Sequence, residues 1–323
     1  MSEFALIDRY FTRPTPGAVL GPGDDCALLA PTPGMELAVT TDMLVAGTHF
    51  FPDTDPRNLG WKALAVNVSD LAAMGALPRW ATLAGSLPAA DEAWIAAFAE
   101  GFFACARAFG VDVVGGDTTR GPLSLCITAL GEVPPCQALR RGGARLHDDI
   151  WVSGRPGLAG LGLAHLKGKA ELPEPWRRLC LAALEKPQPR VSLGLALRGI
   201  ASAAIDVSDG LLADLRHIAE RSGLAAAVRL VQLPHLPKGQ TPDAIPRALA
   251  LDAQLAGGDD YELCFTAPTD QRLAIGKIAA DLELPLWCIG EMQAGPAGGV
   301  TVFDPDGQPI AFDHQGYDHF PSA

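Results

Sequence analysis

The run Val39-Thr40-Thr41-Asp42-Met43-Leu44-Val45-Ala46-Gly47-Thr48-His49-Phe50 decides how this chain is read. Preceded by Leu37 and Ala38, it begins as an apolar strand and then sets three oxygen-bearing side chains in a row. A strand turns successive side chains to opposite faces, so Thr40 and Asp42 project to one side and Thr41 to the other. A bend at a strand end placed here would let all three address one ligand. Crowded hard oxygen donors suit Mg2+, which is commonly held by a few carboxylates together with substrate phosphates. Thr and Asp are also ordinary turn formers, so this stretch taken alone reads first as a strand end opening a turn, and the rest of the chain turns the reading towards a ligand.

Working outward, glycine and aspartate recur together beside apolar runs. Gly21-Pro-Gly-Asp-Asp-Cys-Ala-Leu-Leu brings Asp24 and Asp25 into a strand, and adjacent carboxylates repel unless a cation sits near them. Residues 59–74 have the spacing of a core-facing helix stopped by Gly75, and Asp70 lies inside it among small and apolar neighbours. Strands are expected over 80–87 and 122–133, with a long amphipathic helix over 91–109. The segment from Val111 reads as a buried strand leading through Gly115 and Gly116 to Asp117, where two glycines permit close approach to a ligand.

Arg140-Arg141-Gly142-Gly143 forms a basic loop, in which Arg141 could grip a phosphate or simply be solvated. Gly157-Leu-Ala-Gly-Leu-Gly has the wrong order for a dinucleotide fingerprint and reads as a helix start. Helices follow over 177–184 and 191–200. Ala203-Ala-Ile-Asp-Val-Ser-Asp-Gly-Leu then sets Asp206, Ser208 and Asp209 after an apolar strand, with Ser208 as N-cap of a helix over 210–219. A helix N-terminus of this kind also receives phosphate. A strand over 224–230 precedes the third dense motif, Gly257-Gly-Asp-Asp-Tyr-Glu-Leu-Cys-Phe. Residues 275–282, 286–289 and 300–303 complete an α/β second half, and the tail Gly316-Tyr-Asp-His-Phe reads as docked.

The 323 residues suffice for a large core and predict two domains. An apolar share of 48% with 19% charged residues is globular. A net charge of −12 argues against a nucleic-acid or membrane surface. The seven cysteines form no C-x-x-C pair and sit in apolar contexts, as in a reducing compartment. Glu3, Asp8 and Arg9 interrupt the first apolar residues, which do not read as a secretion signal, and no run is long enough to span a membrane. The chain reads as a cytoplasmic protein. It has no Walker A loop, no H-E-x-x-H, no G-x-S-x-G and no signature nucleophilic cysteine. Many aspartates without a nucleophile point to Mg2+-assisted phosphoryl chemistry, with a metal-binding or structural role still open.

These motifs, together with Lys62-Ala-Leu-Ala-Val-Asn-Val-Ser-Asp-Leu-Ala-Ala-Met-Gly-Ala and Gly115-Gly-Asp-Thr-Thr-Arg-Gly-Pro-Leu, resemble in order and along nearly the whole chain the bacterial thiamine-monophosphate kinases. That family belongs to the aminoimidazole ribonucleotide synthetase-like (PurM-like) superfamily. The resemblance implies an α+β N-terminal domain over 1–145, binding ATP and Mg2+ and pairing in a homodimer. It implies a C-terminal α/β domain over 146–323 that completes the active site. The implied reaction is direct transfer of the ATP γ-phosphoryl group to thiamine monophosphate, giving thiamine diphosphate, with several Mg2+ ions.

By motif, metal falls to Asp25, Thr40, Thr41, Asp42, Asp70, Asp117, Asp206 and Asp209. ATP falls to Gly116, Asp117, Arg141 and Ser208, and thiamine monophosphate to His49, Asp259 and Tyr317. Catalysis would rest on Asp42, Asp117, Asp209 and Arg141. One departure stands out: the family pattern has glutamate where this chain has Asp259. Other readings are a superfamily member that activates an amide or selenide with ATP, and a non-catalytic nucleotide- or metal-binding protein.

Overall fold

A computed structural model describes residues 3–234, 245–312 and 316, which divide into two compact units. The first comprises residues 1–72 and 76–138, and the second residues 73–75 and 139–323.

The first unit opens with helix α1 (Glu3–Tyr10), as its apolar spacing predicts. A four-stranded sheet follows, built from β1 (Glu36–Val45), β2 (Leu77–Leu87), β3 (Asp112–Arg120) and β4 (Ser124–Val133) in the order β1-β4-β2-β3. β4 is antiparallel to both β1 and β2, whereas β2 and β3 run parallel and are joined through a helix, as a parallel pair requires. Helices α2 (Pro56–Ala73) and α3 (Glu92–Phe109) cross in backbone contact. A Cβ on Gly60 would stand 2.0 Å from the Phe98 carbonyl oxygen, and one on Gly101 1.8 Å from that of Arg57. Asp91 caps α3 through the amides of Ala93 and Trp94, and Gly110 closes it in the left-handed conformation.

β1 corrects one expectation. The strand does not end at Asp42, because its ladder with β4 continues to Val45 opposite Ser124. Likewise β3 runs on through Gly115, Gly116 and Asp117 to Arg120, paired with β2. The glycine–aspartate runs lie within the sheet, since a paired neighbour extends each strand past its local turn formers.

The second unit holds β5 (Asp149–Ser153), β6 (Ala203–Asp206), β7 (Ala225–Arg229), β8 (Leu263–Ala267), β9 (Leu286–Gln293), β10 (Val300–Phe303) and β11 (Pro309–Ile310). They form one mixed sheet in the order β11-β10-β7-β9-β5-β8-β6. Its helices are α4 (Leu158–Leu166), α5 (Trp176–Glu185), α6 (Val191–Ala196), α7 (Leu211–Ser222), α8 (Arg247–Ala256) and α9 (Arg272–Asp281). Leu211, Leu215 and Ile218 of α7 pack with Ile150, Val152, Ile205 and Ile289 in one core. Leu193 and Leu197 join Phe265 and Ile275 in a second core. A third gathers Leu161, Trp176, Cys180 and Ala253 from α4, α5 and α8. The helix expected over 191–200 stops at Ala196, where a turn with Gly199 at positive φ takes over. Helix α8 is an addition to the sequence reading; it begins directly after Pro246, a residue tolerated just ahead of a helix.

Candidate active site

In the first unit the strand alternation separates the three oxygen donors. Thr40 and Asp42 face α2: the Thr40 hydroxyl donates to Asp70, and the Asp42 amide donates to Asn67 Oδ1 at 3.1 Å. Thr41 turns to the other face and pairs with the Thr128 hydroxyl at 2.8 Å. The expected convergence of all three side chains is therefore not what β1 does, because continued pairing keeps the pleat. Burial, followed by the nearby charge of Asp70, pushes the Asp42 carboxyl up to about 7. Two carboxylates held together in this way favour a cation between or beside them.

Asp117 belongs to a different place. Register puts it in the row Met43–Cys126–Ala84–Asp117, on the face opposite Asp42 and at the far edge strand. There it joins Asp25 and Gly116 in lining a cavity of about 640 Å3, whose apolar side includes Phe11, Trp94 and Phe98. Gly116 has no room for a side chain, since a Cβ would stand 1.9 Å from the Leu83 carbonyl oxygen. His49 follows β1, and its Nδ1 accepts the Val45 amide at 2.9 Å. The neutral ring therefore carries its proton on Nε2.

In the second unit, Asp206 is buried at the end of β6, with Ser208 and Asp209 in the loop before α7. Ser208 is not the N-cap: Gly210 holds that position without a side-chain cap. Asp214, in the first turn of α7, takes the role instead. Its Oδ2 accepts the amides of Ser208, Asp209 and Gly210 at 3.0, 3.1 and 3.2 Å. A buried carboxylate satisfies three donors where one hydroxyl could satisfy fewer. Burial and the charge of Asp209 push Asp214 up to about 7, against the pull of those three bonds. An acidic residue four positions after Gly210, at a helix start, was the available sequence signal.

Loop 257–262 runs beside this one. The Asp259 amide donates to the Ser208 carbonyl, the Tyr261 amide to the Val207 carbonyl, and the Val207 amide to the Glu262 carbonyl, each at 2.8 Å. Glu262 is gripped by Arg190, whose role the sequence reading missed. Arg141 is exposed on a segment tied to β6 by the Ala204 amide on the Arg140 carbonyl at 3.0 Å. Tyr317 lies outside the described residues.

Among the described residues, no group of three or more histidine, cysteine, aspartate or glutamate side chains is arranged to hold a metal ion. The carboxylates come in pairs, Asp42 with Asp70 and Asp209 with Asp214. That donor chemistry fits Mg2+, which takes one or two carboxylates plus substrate phosphates rather than a closed protein cage. No helix of the described residues is long and apolar enough to cross a membrane.

Comparison with known proteins gives the chain its relations. Residues 23–133 match the family model for the AIR synthase related protein N-terminal domain, and residues 147–303 that for the C-terminal domain. The thiamine-monophosphate kinase of Salmonella typhimurium is 46% identical over 329 residues, covering 98% of each chain. A crystal structure of thiamine-monophosphate kinase from Stenotrophomonas maltophilia is 50% identical, covering 96% of this chain and 98% of that one, with a TM-score of 0.85. A structure of AaThiL complexed with AMPPCP and TMP is 30% identical, covering 98% and 97%, with a TM-score of 0.76. The two units have the α+β PurM-like architecture of these proteins. With both halves matched and such identity sustained along almost its whole length, the chain belongs to the thiamine-monophosphate kinases, phosphotransferases of the AIR synthase-related group.

Proposed function

We propose that the protein transfers the γ-phosphoryl group of ATP to the phosphate of thiamine monophosphate, yielding thiamine diphosphate and ADP in the cytoplasm. The observation that carries this reading is the cavity of the first unit, with an apolar wall and Asp25, Gly116 and Asp117 in its lining. Phe11, Trp94 and Phe98 offer a purine base the aromatic and apolar surface that nucleotide pockets use. Gly116 lets a phosphate approach the β3 backbone. The seven free thiols suit a reducing compartment.

Asp25, Thr40, Thr41, Asp42, Asp70, Asp117, Asp206 and Asp209 would hold Mg2+, Thr41 from the face of the sheet opposite Asp42. When bound, Mg2+ neutralises the phosphates and stabilises charge on the transferring group. The chain's own residues bind and orient. Ser208, in the loop before α7, offers a hydroxyl to a nucleotide phosphate, and Arg141 adds an exposed guanidinium. His49 can donate from Nε2 to a phosphate oxygen of thiamine monophosphate. Asp259 presents a carboxylate to the thiamine moiety of that substrate, which carries a cationic thiazolium ring and, on its pyrimidine ring, an amine donor. No general base is needed, since a phosphate monoester is already largely deprotonated near neutral pH.

The open face of the first sheet supports a homodimer. Val39 and Met43, at 60% and 57% exposure, stand on it beside Leu37. An apolar patch of this kind marks an interaction surface.

Incubation with Mg-ATP and thiamine monophosphate, followed by chromatography, tests the activity. Equimolar thiamine diphosphate and ADP are expected; ADP alone or no turnover refutes it. A monomeric mass by light scattering at micromolar concentration refutes the dimer.

A further inference from the structure

Asp259 and Tyr261 have φ of 65° and 50°, a left-handed backbone that side chains other than glycine seldom adopt. Three features hold them there. Their amides are engaged by Ser208 and Val207 across the neighbouring loop, as described above. Gly258, just before these contacts, has no slack, for a Cβ on it would stand 2.3 Å from the Ser208 carbonyl oxygen. Glu262, next in the chain, is fixed by Arg190 and by the Ser153 hydroxyl. Strain maintained in this way tends to collect where geometry serves function. Its local result is that the Tyr261 ring, only 8% exposed, turns its phenol back to donate to Asp259 Oδ1 at 3.1 Å.

We propose that Tyr261 is a positioning residue for substrate recognition. It fixes the rotamer of the Asp259 carboxylate and so sets the direction in which that carboxylate meets the thiamine moiety of thiamine monophosphate. This rests on the assignment of Asp259 to that substrate. The side chain at 259 is one methylene shorter than the glutamate of the family pattern, and its carboxylate stays within reach of a phenol two residues on. A side chain with free χ angles must give up rotamers on binding, whereas one already tethered gives up fewer.

The test is calorimetric titration of thiamine monophosphate and, separately, of Mg-AMPPCP into wild type, Tyr261→Phe, Asp259→Asn and the double variant, with melting temperatures of each. Removing a hydrogen bond to a charged group should weaken thiamine monophosphate binding by about tenfold in Tyr261→Phe. Nucleotide affinity and melting temperature should stay near wild type. Asp259→Asn should weaken binding at least as much. The double variant should match Asp259→Asn alone, because the phenol acts through the carboxylate and the two effects do not add. Wild-type affinity in Tyr261→Phe beside a weakened Asp259→Asn overturns the positioning role, as does an equal loss for both ligands with a lowered melting temperature. Undiminished affinity in Asp259→Asn overturns the substrate assignment and the proposal with it.

Discussion

The ion pair between Arg190 and Glu262 offers the sharpest test of how the second unit is held. Arg190 donates from Nε to Oε2 at 2.6 Å and from Nη2 to Oε1 at 2.5 Å, and Ser153 Oγ adds a third bond at 2.5 Å. The side chains are 26% and 8% exposed. Burial disfavours the arginine charge, but the hydrogen bond and charge of Glu262 outweigh it, leaving the guanidinium pKa raised. Arg190→Leu removes the cation and leaves a buried carboxylate with Ser153. Breaking a buried pair costs roughly 3–5 kcal/mol; partial exposure of Arg190 places this one near the lower end, about 3 kcal/mol. For a domain of this size each kcal/mol moves the midpoint by roughly 2–4 °C, so the unit should melt about 6–12 °C lower. Arg190→Leu combined with Glu262→Leu should recover most of the loss, since no uncompensated charge remains. Differential scanning calorimetry at neutral pH distinguishes the cases. A single variant melting within about 2 °C of wild type would refute the reasoning, as would a double variant as unstable as the single one.

Other predictions follow from the site. Asp42→Asn should lower turnover by on the order of 100-fold, while the magnesium-free protein melts at or above the wild-type temperature because the like-charge neighbour of Asp70 is gone; near-normal turnover removes Asp42 from the metal set. Gly116→Ala pushes a methyl group at the Leu83 carbonyl and should cost about 1–3 kcal/mol together with ATP affinity, and undiminished nucleotide binding by titration would take Gly116 out of the site. Asp260 accepts the Gly157 and Ala159 amides at the start of α4, and burial raises its carboxyl well above the usual range. The folded state thus holds a proton that the unfolded chain releases near pH 3.9. Its contribution to stability is largest below that pH and declines as pH rises towards the folded value. Melting curves of Asp260→Asn against pH should fall less steeply from pH 4 upward, and an unchanged slope would contradict the assignment.

Much of the architecture was legible in the sequence because its causes are local. The alternation Thr40–Thr41–Asp42 already divides the hydroxyls between two faces, and the structure places them so. The helix starts at Gly157 and after Asp91 follow from short-range backbone chemistry, as do most element positions. The motif order likewise carried the family resemblance without any coordinates. Where β1 and β3 end, however, depends on partners far along the chain: Val45 stays in the strand because Ser124 lies opposite it, and Asp117 because Ala84 does. Those ladders decide that Asp42 and Asp117 occupy opposite faces of one sheet, which composition and spacing cannot reveal. The same holds for electrostatics. Asp42 is an ordinary aspartate until α2 brings Asp70 against it, and Glu262 is one until Arg190, distant in sequence, meets it. Ser208 loses the cap to Asp214 only because a buried carboxylate can collect three amides. Sequence determines which donors exist and their local periodicity; non-local pairing and burial decide which of them meet, and at what charge.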